Sequence, residues 1–366
     1  MLRTFVFLMA LALAGCGDGK NQADGIETPV SSLAEDEQVV FFRTAGWLDE
    51  ASQEWHLPIH AWVYEPQDSS ARMAVFEAIL EEQFELSPSA ETESNLDQRL
   101  NLLIADNERG KTLVVNLAGR DFNLPASAEN GHTQTILKVA KDDVDQFGSG
   151  DFISFSVVFA EEDSRRFEGE VRLVEPSGLS VISDIDDTVK ISNVTDTKKL
   201  LEYTFLLDFE AAPGMDDQYR EWSASDVSFH FVSSSPWQLY PPLTEFLDGA
   251  GFPWATLSLK SIRFRDETFF DLFKKGTETK PASIEKILAA YPDRDFVLVG
   301  DSGEQDPEVY AALIREHPDQ VRKIHIRNVT RETPDNDRFK AVFGDIEPDR
   351  WSLFDDPKTL DLPSSP

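Results

Sequence analysis

The stretch Leu179-Ser180-Val181-Ile182-Ser183-Asp184-Ile185-Asp186-Asp187-Thr188-Val189-Lys190 decides how this chain is read. Its apolar opening, Leu179 to Ile182, reads as a buried strand that ends in carboxylates. If strand geometry persists, Asp184 and Asp186 point to one side and Asp187 to the other. Two like charges aimed at one small volume need a compensating cation, a shared proton or solvent. Asp187 is therefore assigned a structural role, and Thr188 stabilises the turn that follows.

Downstream of this stretch, apolar strands alternate with helical patterns. Strands are expected at 179–182, 227–232, 255–259, 296–299 and 321–326, and helices near 198–207, 214–222, 241–249, 282–290 and 308–316. That alternation predicts an α/β unit with a parallel sheet covered on both faces. In such sheets, sites form beyond the carboxyl ends of the strands. Four features lie there in order. They are the Asp184-Ile185-Asp186-Asp187-Thr188 run, Ser233 after Phe229-His230-Phe231-Val232, Lys280 just before a helix opening at Pro281, and Gly300-Asp301-Ser302-Gly303-Glu304-Gln305-Asp306 after Phe296-Val297-Leu298-Val299. Each alone is an ordinary turn, cap or surface feature. Their conjunction within one α/β segment is not.

This order resembles the four motifs of the haloacid dehalogenase (HAD) superfamily. The closer likeness is to its phosphatidate phosphatase branch, found in fungal actin-patch proteins and bacterial relatives. It is carried by residues 183–190, by Phe229-His230-Phe231-Val232-Ser233-Ser234-Ser235-Pro236-Trp237-Gln238-Leu239-Tyr240 and by Leu298-Val299-Gly300-Asp301-Ser302-Gly303-Glu304-Gln305-Asp306-Pro307-Glu308. It extends over roughly 179–360, including Trp351-Ser352-Leu353-Phe354-Asp355-Asp356-Pro357. The resemblance implies a HAD-like Rossmannoid sheet with small cap inserts. It also implies Asp184 as nucleophile and Asp186 as acid and then base. Ser233 and Lys280 would act on the phosphoryl group, with Thr188 beside them as a substrate-binding candidate. Mg²⁺ would be held by the Asp184 carboxylate, the Asp186 main-chain carbonyl and Asp301, with Glu304 or Asp306 as a further or water-mediated ligand.

The 366 residues suffice for two domains and a substantial core. The charge of −33 disfavours nucleic acid as a partner and repels an anionic bilayer. Arg3, the apolar run from Phe5 to Leu13 and Ala14-Gly15-Cys16 describe a secretory signal. Leu13-Ala14-Gly15-Cys16 also resembles the bacterial lipobox, which implies cleavage before Cys16, the only cysteine, and its acylation. Residues 1–15 are then a signal peptide and 16–37 a lipidated tether, placing the protein in a bacterial envelope.

Residues 38–177 read as a mainly β, sandwich-like domain with a helical hairpin. Strands are expected at 39–42, 57–64, 112–117, 133–139, 152–159 and 167–174, and helices at 71–84 and 96–103. This domain resembles the one beside the catalytic unit in bacterial relatives. His56, His60 and His132 lack metal-ligand spacing and are given structural or surface roles. Pro176-Ser177-Gly178 marks the boundary to a catalytic domain at 178–360, followed by a tail at 361–366.

The inserts after the first and second motifs carry Leu200, Leu201, Tyr203, Phe205, Leu206, Leu207, Phe209, Trp237, Tyr240, Phe252, Trp254, Phe264, Phe269 and Phe270. They form either an apolar lip for acyl chains or ordinary packing. Lys260, Arg263 and Arg265 are candidates for a phosphate headgroup. The leading expectation is a Mg²⁺-dependent phosphatidate phosphatase that forms diacylglycerol and phosphate. The alternatives are a phosphatase of soluble phosphomonoesters and a non-catalytic envelope-binding lipoprotein.

Overall fold

The computed structural model describes residues 29–67, 70–260 and 279–363. Cys16, the signal run and most of the tether lie outside these residues, as do Arg263, Arg265, Phe264, Phe269 and Phe270. Among the described residues, no helix is long and apolar enough to cross a membrane.

The N-terminal unit is built on β1 (Gln38–Phe41), β2 (Thr44–Asp49), β3 (Glu54–Glu65), β4 (Asp106–Asn107), β5 (Val114–Leu117), β6 (Arg120–Asn123), β7 (His132–Ala140), β8 (Phe152–Val157) and β9 (Glu168–Val174). Helices α1 (Ser70–Phe84) and α2 (Glu93–Ile104) form the expected hairpin, and α3 (Lys141–Phe147) follows β7. One hydrogen-bonded path, β1-β3-β2-β9-β8-β5-β6, runs through the sheet, with β4 and β7 also on β3. The pairs are antiparallel except β2 with β9. Leu57 and Ile59 of β3 share a core with Val115 and Leu117 of β5 and with Ile153 and Phe155 of β8. The sandwich-like interior is thus enclosed by one sheet that curls over itself.

Strand β3 is buried on both faces. Leu57, Ile59, Ala61 and Val63 line its own core, whereas Trp62 joins the core of the second unit.

The second unit contains β10 (Gly178–Ser183), β11 (Ser228–Pro236), β12 (Ala255–Lys260), β13 (Arg294–Asp301), β14 (Val321–Arg327) and β15 (Trp351–Phe354). They form a parallel sheet in the order β12-β11-β10-β13-β14-β15. Its helices are α4 (Thr197–Phe205), α5 (Met215–Ser223), α6 (Tyr240–Gly249), α7 (Thr279–Ala290), α8 (Asp306–Glu316) and α9 (Asp337–Phe343). Successive residues of β10 explain its apolar run, since Val181 packs into one core and Ile182 into the other. Both faces are covered, as parallel sheets require.

The expected strands and helices of this unit are all present, with boundaries moved by a few residues. Lys280 sits inside the first turn of α7 rather than before the helix. The order of strands puts β10 at the centre, with the ends of β11 and β13 beside it.

The two units are packed together. Phe76, Leu80, Leu96 and Leu100 of the hairpin share a cluster with Leu201, Phe205 and Leu206. Trp237 and Tyr240 meet Phe42 edge to face, Phe252 enters a core, and Trp254 Nε1 donates to Glu170 at 2.7 Å. The insert side chains expected as an apolar lip are, where described, taken up by packing. The hairpin of the N-terminal unit covers Leu201, Phe205 and Leu206, whereas Phe209, Trp237 and Trp254 stay half-buried.

Candidate active site

Strand β10 ends at Ser183, and strand geometry does not continue through the carboxylates. Asp187 has φ of 57°, in the left-handed region that Asp tolerates better than most residues. The resulting turn lets the Asp187 carboxylate accept from the backbone N–H groups of Ser192, Asn193 and Val194 at 2.6–2.8 Å. Arg327 Nη1 donates to its carbonyl at 2.7 Å. Asp187 thus holds the loop together, through a turn rather than through strand alternation.

The same turn separates the surroundings of Asp184 and Asp186. Asp184 is buried and its Oδ1 accepts from Lys280 Nζ at 2.8 Å. Thr188 Oγ1 reaches its Oδ2 at 3.3 Å, so this hydroxyl is spent on the nucleophile candidate in the absence of a ligand. Lys280 also contacts Asp306 at 2.5 Å and Glu304 at 3.2 Å. Asp306 accepts from the Asp301 N–H at 3.2 Å through its other oxygen. Gly300 makes this possible, because a Cβ there would collide with the Asp306 carboxylate and the Tyr310 ring.

Three carboxylates, Asp184, Glu304 and Asp306, therefore surround one ammonium, and a fourth, Asp301, lies beside them. Burial raises the Asp184 carboxyl well above the ordinary range. Lys280 opposes that rise and the neighbouring acids add to it. Burial and the charges of Asp306 and Glu304 raise Asp301 in the same way, and Glu304 is raised too. Burial works against the charge of Lys280, but Asp184, Asp306 and Glu304 outweigh it and hold the ammonium well above its usual value.

A divalent cation fits this arrangement. Asp184, Asp301 and Glu304 each offer an oxygen, and these atoms lie within 4.8 Å of one another. Asp301 Oδ1 is occupied by the N–H groups of Gly303 and Glu304 at 2.6 and 3.2 Å. Asp301 Oδ2 is buried without a hydrogen-bond partner, a costly state for a carboxylate oxygen unless something charged meets it. Of the two acids left open by the sequence, Glu304 belongs to this oxygen cluster and also reaches Lys280 at 3.2 Å, while Asp306 pairs with Lys280 at 2.5 Å.

Asp186 lies in a different setting. Its Oδ1 accepts from Ser192 Oγ at 2.7 Å and pairs with Lys190 Nζ at 3.1 Å. Its Oδ2 accepts from Ser233 Oγ at 2.9 Å and Ser235 Oγ at 3.1 Å. Burial disfavours the charged form, but the Lys190 charge and these hydrogen bonds prevail and bring the carboxyl down to about 2. Ser233 is held in turn by the Ser235 N–H at 2.9 Å.

Sequence reasoning passed over Lys190, Ser192 and Ser235 as partners of Asp186. Two of the three lie inside the stretches quoted for the resemblance, so a signal was present. It also passed over Arg338, which donates to the carbonyls of Ser302 and Glu304 at 2.6 Å and braces the last loop. Lys260 ends β12 opposite Pro236, beside the Ser233 loop.

Residues 179–328 match the family model of the phosphatidate phosphatase APP1 catalytic domain. The chain is 33% identical over 171 residues to phosphatidate phosphatase APP1 of Saccharomyces cerevisiae, covering 45% of this chain and 29% of that protein. It is 33% identical over 168 residues to an uncharacterised protein of Schizosaccharomyces pombe, covering 45% of this chain and 27% of the relative. The chain thus spans under a third of the length of these curated relatives. Among solved structures, a D,D-heptose 1,7-bisphosphate phosphatase from B. bronchiseptica aligns with TM-score 0.29 and 12% identity, over 49% of this chain and 93% of that one. A putative β-phosphoglucomutase from Thermotoga maritima aligns with TM-score 0.28 and 12% identity, over 49% and 94%. The segment that matches this family model contains Asp184, Asp186, Ser233, Lys280 and Asp301.

Proposed function

We propose that this protein is a Mg²⁺-dependent phosphatidate phosphatase, releasing diacylglycerol and phosphate. The observation that carries the phosphatase reading is the buried Asp184 paired with Lys280 beside the unpartnered Asp301 oxygen, all inside the family segment. The lipid substrate is taken from the matched family and its yeast relative.

Asp184 attacks phosphorus and the bond to the substrate oxygen breaks, leaving an aspartyl-phosphate. Asp186 gives its proton to the departing alkoxide, then takes one from the water that cleaves the intermediate. With its carboxyl down to about 2, Asp186 starts as a base. An arriving phosphate raises it, because negative charge approaches and Ser233 turns its hydroxyl to a phosphoryl oxygen, and Asp186 then takes up from solvent the proton that it delivers to the leaving oxygen. Lys280 offsets the charge that gathers on Asp184 and the transferring group. Asp184, Asp301, Glu304 and the Asp186 carbonyl would hold Mg²⁺. When bound, the ion neutralises negative charge on the phosphoryl group.

A second reading, hydrolysis of soluble phosphomonoesters, is favoured by the packing of the insert aromatics against the N-terminal unit. One assay separates the two. The protein is offered phosphatidate in mixed micelles and a panel of soluble esters, with Mg²⁺ or with chelator. Release from phosphatidate that the chelator stops is the expected result. Release from soluble esters alone would refute the lipid substrate, and no release from any ester would refute the enzyme. We further propose that Cys16 is acylated and tethers the protein in a bacterial envelope. Cys16→Ser should then free it from membranes, whereas unchanged membrane retention would contradict the anchor.

A further inference from the structure

The two oxygens of Asp186 are held by different groups, and on each side one route runs from those groups to the N-terminal domain. Trp237 follows directly on the Ser233–Pro236 run. Its ring centroid lies 4.4 Å from Phe42 and 4.9 Å from His60, both in the N-terminal domain. The Tyr240 hydroxyl, in the same turn, accepts from the Arg43 N–H at 2.7 Å. This clamp fixes the loop that presents Ser233 and Ser235 to Asp186 Oδ2.

On the other oxygen, Lys190 pairs with Oδ1, and its Nζ lies 5.0 Å from the Phe209 ring. The Arg99 guanidinium of α2 lies 3.9 Å from that same ring. Arg99 is buried and donates to the carbonyls of Thr204 and Leu207 at 3.1 and 2.8 Å, so it is fixed to the chain that leads into Phe209. A cation over an aromatic face and a buried, hydrogen-bonded guanidinium are both directional contacts.

We propose that the N-terminal domain is a positioning device for Asp186, acting through Phe42 on Trp237 and through Arg99 on Phe209. This rests on the phosphatase reading above. Phe42 and Arg99 are positioning residues, since neither touches the reacting atoms. When Asp186 drifts, delivery of its proton to the leaving oxygen suffers, while attack of Asp184 on phosphorus does not. An alkyl ester leaves as a strongly basic alkoxide and needs that proton. An ester of an acidic phenol needs it far less.

The test uses the full chain and measures kcat/KM, which reports steps through the first phosphoryl transfer, for an alkyl phosphomonoester and for p-nitrophenyl phosphate. Phe42→Leu and Arg99→Met should each lower the alkyl value about tenfold or more relative to the aryl value. Arg99→Lys, which keeps a cation near Phe209, should recover most of the loss. Arg43→Ala, which removes a side chain paired with Asp248 on the exposed edge of the same interface, should leave the ratio unchanged. Equal loss on both esters, or no loss in either variant, overturns the inference while leaving the phosphatase reading standing. A wild type that releases no phosphate overturns both. Should Arg99→Met fail to fold, Phe42→Leu decides alone.

Discussion

Asp184 is held where its charge is least welcome, beside three other carboxylates and with one ammonium to balance them. A carboxyl raised by its surroundings stabilises the fold below its unfolded pKa and loses that stabilisation as pH rises through the folded value. Asp184, Asp301 and Glu304 share that sign. The metal-free protein is thus penalised at neutral pH, and a divalent cation in the cluster offsets the penalty. Added Mg²⁺ should raise the melting temperature more at about pH 7.5 than at about pH 5. A melting temperature indifferent to Mg²⁺ at both would contradict the cluster as a cation site. Asp184→Asn should cut turnover by at least about a thousandfold while leaving the metal-free fold as stable or more stable, read by phosphate release and thermal melting together. Retained turnover would remove Asp184 as nucleophile. At this scale the sequence was legible where a motif names a residue, as for Asp184, Lys280 and Asp301. It was opaque for Lys190, Ser192 and Ser235, because their meeting with Asp186 depends on a turn at Asp187 that strand alternation does not foretell.

Among the elements, β10, β11 and β13 were readable because both faces are buried and their sequences are accordingly apolar runs. Strand β2 was missed, since Thr44-Ala45-Gly46-Trp47-Leu48-Asp49 lacks such a run. Gly46 is needed there because a Cβ would meet the His56 carbonyl and Leu57 at 2.8 Å. The short α3 and α9 and the edge strand β15 were likewise missed, having too few residues to establish a period. Strand β3 was read from its apolar run, and its histidines were given structural or surface roles. His60 meets His132 of β7, Nε2 to Nδ1 at 2.9 Å. Burial pushes His60 down to about 3 and His132 to about 4. Groups with a depressed folded pKa contribute fully above the unfolded value of 6.5 and lose that contribution as pH falls through the folded one. Each histidine should cost about 2 kcal/mol of stability by about pH 5, or about 4 kcal/mol for the pair. Denaturant melts of wild type and a His60→Gln, His132→Gln double variant should diverge in slope across that range, with the variant flatter. Parallel slopes would show that the pair does not titrate as the geometry implies.

For the whole molecule, the sequence divides into two domains but does not say that they share a core. Trp62 of β3 belongs to the same hydrophobic core as Phe231 and Leu257 of the parallel sheet, and the hairpin packs on α4. Those contacts join residues far apart in the chain, which no local pattern encodes. They also change the meaning of the insert aromatics, which close an interface within the molecule. A lipid substrate would then be admitted by surface that this packing leaves exposed among the described residues. The central claim is independent of that question: phosphorus is transferred to Asp184 before it reaches water. The most direct measurement is acid quenching of the protein during turnover of a phosphomonoester with Mg²⁺, followed by mass spectrometry of its peptides. The account predicts one phosphoryl group on the peptide bearing Asp184, absent in Asp184→Asn. Active turnover with an unmodified Asp184 peptide, or with the label on another residue, would contradict it.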